Sequence, residues 1–391
     1  MAGDNQRILF IVSQPFFQWR GSPIRVGFDV QALAELGYTV DLLVPPFGDD
    51  RVVPGVCVHR VRHIPWVRSL PIGPSFPKLL FDCLLYLRAR ALLRQHDFAV
   101  LHGVEDAGAI CALLAKRAKA KFVFEKHSDP RSYRNGFVRN VLMGVYAFVE
   151  RRMIRSADAV IGTGPELAKY AAQVCPDKLV VEIADIPSSL EGSTPETAAL
   201  ARQRFVQKTT DILITYVGSF AVYQGIDLLF ESISFVCASS PDARFLIIGG
   251  DPAQIAKRKQ ALEAAGCADR VYFAGLISPD ALPAVLAGSD ILLSPRIAGA
   301  NTPLKILDYL KACRPIVATE NAANRQILDE ATAVFASPDP QSYAAAILRL
   351  IGDAALRQKL SAGGQSLIDT KYNFVNFKQE LFAIYRQWRE E

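Results

Sequence analysis

The sequence lacks any long apolar run. Across 391 residues no stretch reaches the ~18 uncharged apolar residues that a bilayer span needs. The nearest candidate, Leu79–Leu93, is interrupted by Asp82, Arg88 and Arg90. The apolar run at Ile8–Val12 is too short for the core of an export signal and reads as a first strand. A cysteine framework is missing as well. The seven cysteines (Cys57, Cys83, Cys111, Cys175, Cys237, Cys267, Cys313) are odd in number and scattered, with no CxxC pair and none at metal-ligand spacing from a histidine. This points to a reducing compartment and to no structural zinc. There is no short-period repeat and no low-complexity tract. The expectation is a cytoplasmic protein, soluble or peripheral at the inner face of a membrane.

What is present suits a two-domain globular protein. Half the residues are apolar and 21% are charged, and the length is right for two cores of roughly 150–200 residues. The formal charge is +5, with the excess in the first half. That fits either an anionic partner or an ordinary solvated surface. Short β-branched runs alternate with helical stretches. In the first half the strands fall at Ile8–Ser13, Thr39–Val44, Val56–Arg60, Ala99–His102, Phe122–Glu125 and Ala159–Gly162, with helices such as Val26–Leu36, Ala107–Lys119 and Phe137–Ser156. Uniformly apolar strands separated by amphipathic helices predict a parallel sheet covered on both faces.

The alternation stops at Ala184–Thr194, ADIPSSLEGST, which has the composition of a linker. A second series follows: Ile212–Val217, Arg244–Gly249, Arg270–Phe273, Ile291–Ser294 and Ile316–Thr319, with a last helix at about Phe374–Arg389. The fold class is therefore α/β, with two Rossmann-like doubly wound domains, 1–188 and 200–370, facing across a cleft. Ligands bind at the carboxyl ends of such sheets.

Two segments of the second half carry chemistry. Ser294–Thr319, SPRIAGANTPLKILDYLKACRPIVAT, follows a strand and opens a helix. Asn301 or Thr302 can cap that helix and Pro303 fits its first turn. The free backbone N–H groups at Gly299–Leu304 then make a diphosphate site. Lys305 and Asp308 are three apart and share a helix face; the first suits phosphate, the second ribose hydroxyls. A surface Lys–Asp pair on a capped helix explains the same spacing. In Tyr216–Phe230, YVGSFAVYQGIDLLF, a strand ends at Gly218 and Gly225 leads into a helix. Gly218 admits a ligand to the backbone, with Ser219 and Gln224 as donors. A ligand-free βα turn would look the same.

Together these segments resemble the donor domain of glycosyltransferase family 4. Tyr216–Gly225 is similar to the family's strand and turn, and PLKILDYLKACRPIVAT (Pro303–Thr319) to its donor-binding helix and next strand. GSPIRVGFDVQALAELGYTVDLL (Gly21–Leu43) is similar to its first loop, helix and second strand. The resemblance implies a GT-B fold, retention of configuration, no metal, no bound cofactor, and a terminal segment (371–391) crossing back to the first domain. It departs from the pattern where the family has Glu and this chain has Ala300, and where Ser219 and Gln224 replace Arg and Lys. Either the domain is degenerate, or Arg296 and Lys305 supply the positive charge in a rebuilt site; the anion-binding arrangement favours the second.

In the first half, His127 in FVFEKHSDP follows a strand and takes the place of the family histidine near the donor sugar; a structural histidine is the alternative. His102 is a weaker candidate of the same kind, and Glu105 and Asp106 suit a helix cap. Gly21 and Ser22 offer N–H groups to donor phosphate or acceptor. Phe16, Phe17 and Trp19 form either a stacking or lipid-contact surface or a loop folded on its own domain. Ile64–Arg94 mixes leucines with arginines, which suits helix packing first and a membrane interface second. No pyridoxal lysine, DxD metal motif or GxGxxG dinucleotide fingerprint is present.

The expectation is therefore a glycosyltransferase of envelope or polysaccharide biosynthesis. It would move a sugar from a UDP- or GDP-sugar to a glycan or lipid-linked acceptor, and no nucleic acid partner is expected. His127, Arg296 and Lys305 would be catalytic. Gly21, Gly218, Ser219, Gln224, Gly275, Leu276, Ile277, Gly299, Ala300, Asn301, Thr302, Pro303, Leu304 and Asp308 would bind the donor, with the base at Gly275–Ile277. The rivals are an inactive protein that only binds nucleotide-sugar and, further off, a nucleotide-sugar epimerase.

Overall fold

Strands that are apolar on both faces must be covered by helices on both sides, which demands parallel pairing through helical crossovers. The computed structural model describes residues 6–16, 18, 21–48, 50, 52–70, 75–128, 137–299 and 302–388. It forms two compact units, Met1–Asp185 with Phe374–Glu391, and Ile186–Asn373.

In the first unit the strands are β1 (Arg7–Val12), β2 (Thr39–Val44), β3 (Val56–Arg60), β4 (Val100–Val104), β5 (Lys121–Lys126), β6 (Ala159–Gly162) and β7 (Leu179–Glu182). They pair in the order β3-β2-β1-β4-β5-β6-β7, and every pairing is parallel. Ile8 lies opposite Val40 on one side and Val100 on the other. The first helix spans Gly21–Glu35 and so begins five residues earlier than its apolar period predicts. Pro23 in its first turn accounts for the early start, since a fixed φ suits that position.

That helix buries charge as well as apolar surface. Arg25 Nε donates to Glu125 Oε1 at 2.5 Å, and its Nη1 donates to the Ile183 carbonyl at 2.9 Å and to Asp185 at 3.1 Å. His102, stacked on Phe10 at 4.0 Å, holds Glu125 with Nε2 (2.8 Å) and the Tyr385 hydroxyl with Nδ1 (2.5 Å). Tyr385 ends the helix Phe374–Tyr385, whose Phe377 ring lies 5.0 Å from the Arg25 guanidinium. Burial alone would raise the Glu125 carboxyl, but Arg25, His127 and His102 hold it well below the carboxylate range. Asp29, buried beside the Glu125 charge, is pushed well above that range.

The second unit repeats the plan with β8 (Ile212–Val217), β9 (Ala243–Ile248), β10 (Val271–Gly275), β11 (Ile291–Ser294), β12 (Ile316–Thr319) and β13 (Ala333–Ala336), in the parallel order β10-β9-β8-β11-β12-β13. The helices Ile226–Ser239 and Pro340–Gly352 pack together over one face. They enclose a core that includes Tyr216, Leu229, Ile233, Phe245, Tyr343 and Ile347. Chain order reverses between β8 and β11, so the crevice beyond their carboxyl ends is the natural ligand site.

Arg25→Met leaves Glu125 buried without its cation. The expected cost is about 3–5 kcal/mol, read as a fall in the denaturant midpoint of the first unit with little change in the second.

Candidate functional site

At the reversal point of the second unit, two turns are held against each other. Gly225 has φ 71°, and a Cβ there would lie 1.8 Å from the Pro295 carbonyl oxygen. Only glycine lets the turn after β8 meet the loop after β11 this closely. Ile297 N donates to the Tyr223 carbonyl at 3.0 Å and Ala298 N to the same oxygen at 3.3 Å. Arg296 is buried; its Nε donates to the Ala298 carbonyl at 2.8 Å and its guanidinium lies 5.6 Å from the Tyr223 ring. Its own carbonyl is fixed by Thr319 Oγ1 and by Asn321 Nδ2 at 2.5 Å.

Lys305 projects into the same place. Its stem is partly exposed, but Nζ is sealed from solvent, 4.4 Å from the Tyr216 ring, without a hydrogen-bond partner. A Cβ at Gly218 would stand 3.2 Å from that Nζ, so the glycine opens the approach to it. Burial, with Arg296 adding to it, lowers the Lys305 pKa to about 7. Gln224 Oε1 is also buried and unpartnered. A protein interior normally pairs such groups. Arg296 and Lys305 stand side by side with no carboxylate paired to either among the described residues, an arrangement that suits an anion.

The other candidate residues are placed as follows. Ser219 is exposed, and its carbonyl accepts the Tyr216 hydroxyl at 2.9 Å. The Gly275 carbonyl accepts Gly249 N at 2.7 Å, and Leu276 beyond it is 89% exposed; Ile277 is half-buried. Gly299 lies against the Arg296 guanidinium. Ala300 and Asn301 lie outside the described residues, as do Phe17 and Trp19 of the first loop. Phe16 is buried in its own unit and offers no stacking surface.

The helix start differs from expectation. Pro303 occupies the cap position itself, no side chain among the described residues caps the helix Leu304–Lys311, and Thr302 instead donates to Gln326 at 3.4 Å. A proline has no N–H to satisfy, and Thr302 turns to the neighbouring helix. Leu307 and Leu310 are buried, whereas Leu304 is half-buried. Lys305 and Asp308 do not act on one group. Asp308 Oδ1 accepts Ser188 N at 2.6 Å in a cavity of about 130 Å³ shared with Lys311, Leu286 and Cys313. Burial raises its pKa to about 6.

In the first unit, Gly21 opens the first helix and Ser22 Oγ lies 2.8 Å from His127 Nδ1. His127 Nε2 meets Glu125 at 3.0 Å, and its backbone N–H donates to Glu105. Both ring nitrogens thus have partners within the unit, and the side chain is 6% exposed. His102 is a core histidine. Glu105 and Asp106 give no side-chain cap to the helix Ala107–Ala118. Glu105, at φ 53°, accepts from His127 and Ser128, and Asp106 pairs with Lys78. Arg25 and Glu125 lie inside segments that the sequence singles out, Gly21–Leu43 and Phe122–Pro130, but neither residue is marked there as part of a site; the one signal is a Glu two residues before His127.

Two parallel Rossmann-like units in one chain, the second with paired cations at its reversal point, define a GT-B architecture. Comparison with known proteins extends this. Residues 21–182 match the glycosyl transferase 4-like domain model and residues 211–353 the model for glycosyl transferases group 1. A phosphatidylinositol N-acetylglucosaminyltransferase subunit of Arabidopsis thaliana is 26% identical over 352 residues, 88% of this chain and 74% of that protein. Among solved structures, sucrose-phosphate synthase from Thermosynechococcus elongatus superposes with TM-score 0.75 at 19% identity, covering 98% of this chain and 99% of that one. Anabaena Alr3699/HepE in complex with UDP and glucose does so with TM-score 0.75 at 14% identity, covering 98% and 100%; at such identities the likeness is one of fold. The chain belongs to glycosyltransferase family 4 and is a glycosyltransferase.

Two outcomes follow from the titrations. An anion that fills the site must protonate Lys305, so above pH 7 diphosphate binding takes up a proton and affinity falls by up to about tenfold per pH unit. Calorimetry in buffers of differing ionisation enthalpy reads that uptake. For Asp308 the folded pKa of about 6 lies above the unfolded value of ~3.9, so its ionisation destabilises the fold as pH rises through that window. Asp308→Asn keeps the acceptor for Ser188 and should raise the melting temperature at pH 7.5 with no gain at pH 4.

Proposed function

We propose that this glycosyltransferase takes a UDP- or GDP-sugar as donor, holds its diphosphate in the second unit, and glycosylates a lipid-linked or glycan acceptor. The observation that carries the reading is the unpartnered Lys305 Nζ beside the buried Arg296. Departure of the nucleoside diphosphate builds charge on phosphate oxygens, and preorganised cations in a dry site stabilise that charge strongly. Two fixed cations, with no carboxylate paired to them among the described residues, suit a transfer that needs no metal, since a divalent ion would require acidic ligands. Gly218, Ser219 and Gln224 line the other side of the phosphates, and Asp308 serves ribose. The exposed Leu276 beside Gly275 gives the base a surface. The HepE complex with UDP and glucose supports a uridine donor in this fold. Retention of configuration is carried over from the family.

The acceptor side belongs to the first unit. Three neighbouring helices, Phe76–Leu92, Ala107–Ala118 and Phe137–Ser156, bury one face each. They leave Phe76 (73% exposed), Leu79, Leu87, Leu113, Val145 and Phe148 outside. Arg88, Arg94, Lys116, Arg117, Arg152 and Arg155 are exposed among them. Apolar side chains interleaved with cations suit an anionic membrane surface. No helix among the described residues is long and apolar enough to cross a membrane. The phosphatidylinositol in the name of the plant relative supports an acceptor at such a surface.

A non-catalytic nucleotide-sugar-binding protein is the rival, favoured by Ala300 where the family has Glu. Thermal shifts with UDP, GDP and ADP and their sugar conjugates test the donor site. A ligand at a hundred times its Kd adds about 2.7 kcal/mol, and Lys305→Ala should abolish the shift. Binding without any sugar transfer would favour the rival; no binding would remove the donor reading. For the surface, Leu79→Ser with Phe148→Ser should release the protein from phosphatidylglycerol vesicles, with no binding to neutral vesicles in either form.

A further inference from the structure

One face of the first unit's sheet gathers three metal-ligating side chains where β2 meets the edge strand β3. Residues two apart on a strand point to the same side, so Cys57 and His59 share a face of β3. Asp41 on β2 lies directly opposite Cys57 in the parallel register. A carboxylate oxygen, a thiol sulfur and an imidazole nitrogen, one from each residue, all lie within 4.8 Å of one another. The expectation that no cysteine stands at metal-ligand spacing from a histidine therefore fails at Cys57. Cys-x-His brings two ligands together only on an extended strand, and the third residue lies 18 positions before the histidine.

The way Asp41 is held separates this cluster from an ordinary group of surface acids. Its side chain is fully buried. Arg7, on β1, donates Nε to Oδ2 at 2.6 Å and Nη2 to Oδ1 at 3.2 Å, which fixes the plane of the carboxylate. Outer-shell donors orient ligating carboxylates in the same manner. His59 Nε2 lies 2.6 Å from Oδ1. Cys57 is exposed and the His59 side chain is 16% exposed, so an ion reaches the cluster from solvent. Tetrahedral zinc bonds of ~2.0–2.3 Å set ligand atoms roughly 3.3–3.8 Å apart, so Asp41 and His59 need to part by only about 1 Å as the thiol draws in. A carboxylate and a thiolate offset the two charges of the ion, and only the Arg7 charge is left over.

We infer that Asp41, Cys57 and His59 bind a borderline divalent ion, zinc, which ties the edge strand β3 to the rest of the sheet. Thiolate and imidazole select such an ion over magnesium and calcium, which take oxygen ligands. On binding, the Cys57 S–H proton leaves to solvent and the sulfur bonds the ion. The imidazole nitrogen and the Asp41 oxygen bond it in place of their hydrogen bond to each other, and water fills the fourth position. The need for such a tie is local. β3 pairs with β2 alone, and each of its five residues is partly or fully exposed. Main-chain bonds on one side are all that otherwise hold it, and an ion between side chains of both strands adds a link the backbone does not provide. The ion serves the sheet of the first unit; the diphosphate is left to Arg296 and Lys305 of the second.

Cobalt(II) is the probe, because a cobalt–thiolate bond gives a near-ultraviolet charge-transfer band that oxygen and nitrogen ligands alone do not. Titrating the metal-free full chain with cobalt chloride should raise that band to saturation at one ion per chain, and zinc should then displace it. Cys57→Ser should abolish the band. His59→Gln keeps a donor for Asp41 but loses the imidazole, and should weaken cobalt binding by more than the ~10-fold that losing an outer-shell partner costs. Cys83→Ser, at the other exposed thiol, should change nothing. No band in the wild type, a band that survives Cys57→Ser, or one that disappears with Cys83 would overturn the inference. Melting curves give a second reading. Zinc should raise the melting temperature of the wild type and of Cys83→Ser but not of Cys57→Ser, and magnesium should raise none of them. Equal zinc shifts in wild type and Cys57→Ser would also overturn it.

Discussion

The Arg25–Glu125 pair is the contact on which the first unit turns. Four parts of the chain meet at it: the first helix, the end of β5, the segment after β7, and the helix Phe374–Tyr385 through His102 and Tyr385. Burying opposite charges costs several kcal/mol of desolvation per ion, and only good geometry offsets it. Here the guanidinium reaches a carboxylate, a backbone carbonyl and a second carboxylate at once. An apolar residue at Arg25 would take the cation from both carboxylates and the donor from the Ile183 carbonyl. The pair therefore specifies one arrangement of these elements as much as it stabilises it, and the orientation of His127 follows from it.

The second unit uses charge in the opposite manner. Arg296 and Lys305 stand together without an acid among the described residues, and burial, with Arg296 adding to it, brings the Lys305 pKa down to about 7. Such a shift is typical where binding or chemistry occurs. The unit can bear it because β8 and β11 are locked by well-packed side chains such as Tyr216 and Tyr309, the latter donating to the Leu293 carbonyl at 3.2 Å and accepting Val217 N at 3.0 Å. With no Glu at position 300 and Ser219 and Gln224 in place of longer basic residues, these two cations are what the turns gather around.

Much of this was legible in the chain. Apolar strands such as Ile212–Val217 and Ile316–Thr319 announce themselves by composition, and their alternation with helices implies the parallel topology. The edge strands Leu179–Glu182 and Ala333–Ala336 do not, because the first ends on a charge and leaves its side chains partly exposed and the second is half alanine, which suits a helix as well. Lys305 and Arg296 could be named from the residues around them. That Asp308 would turn to Ser188 and away from Lys305 could not, since the partner lies 120 residues away in the chain. The same holds for Arg25 and Glu125, separated by 100 positions. Local spacing shows which residues share a face; it is silent on which distant backbone atom reaches them first.

The helix Phe374–Tyr385 lends Phe377, Leu381, Ile384 and Tyr385 to the core of the unit that begins the chain. On the ribosome that unit's other residues emerge first, yet its closing layer emerges only after the whole second unit has been made. The usual vectorial order, in which the leading domain folds before the next appears, is thereby inverted. The middle of the chain can finish folding while the leading sheet still waits with Arg25 and His102 short of their last neighbours. Nascent chains paused before residue 374 would carry one completed Rossmann-like unit and one that is still open.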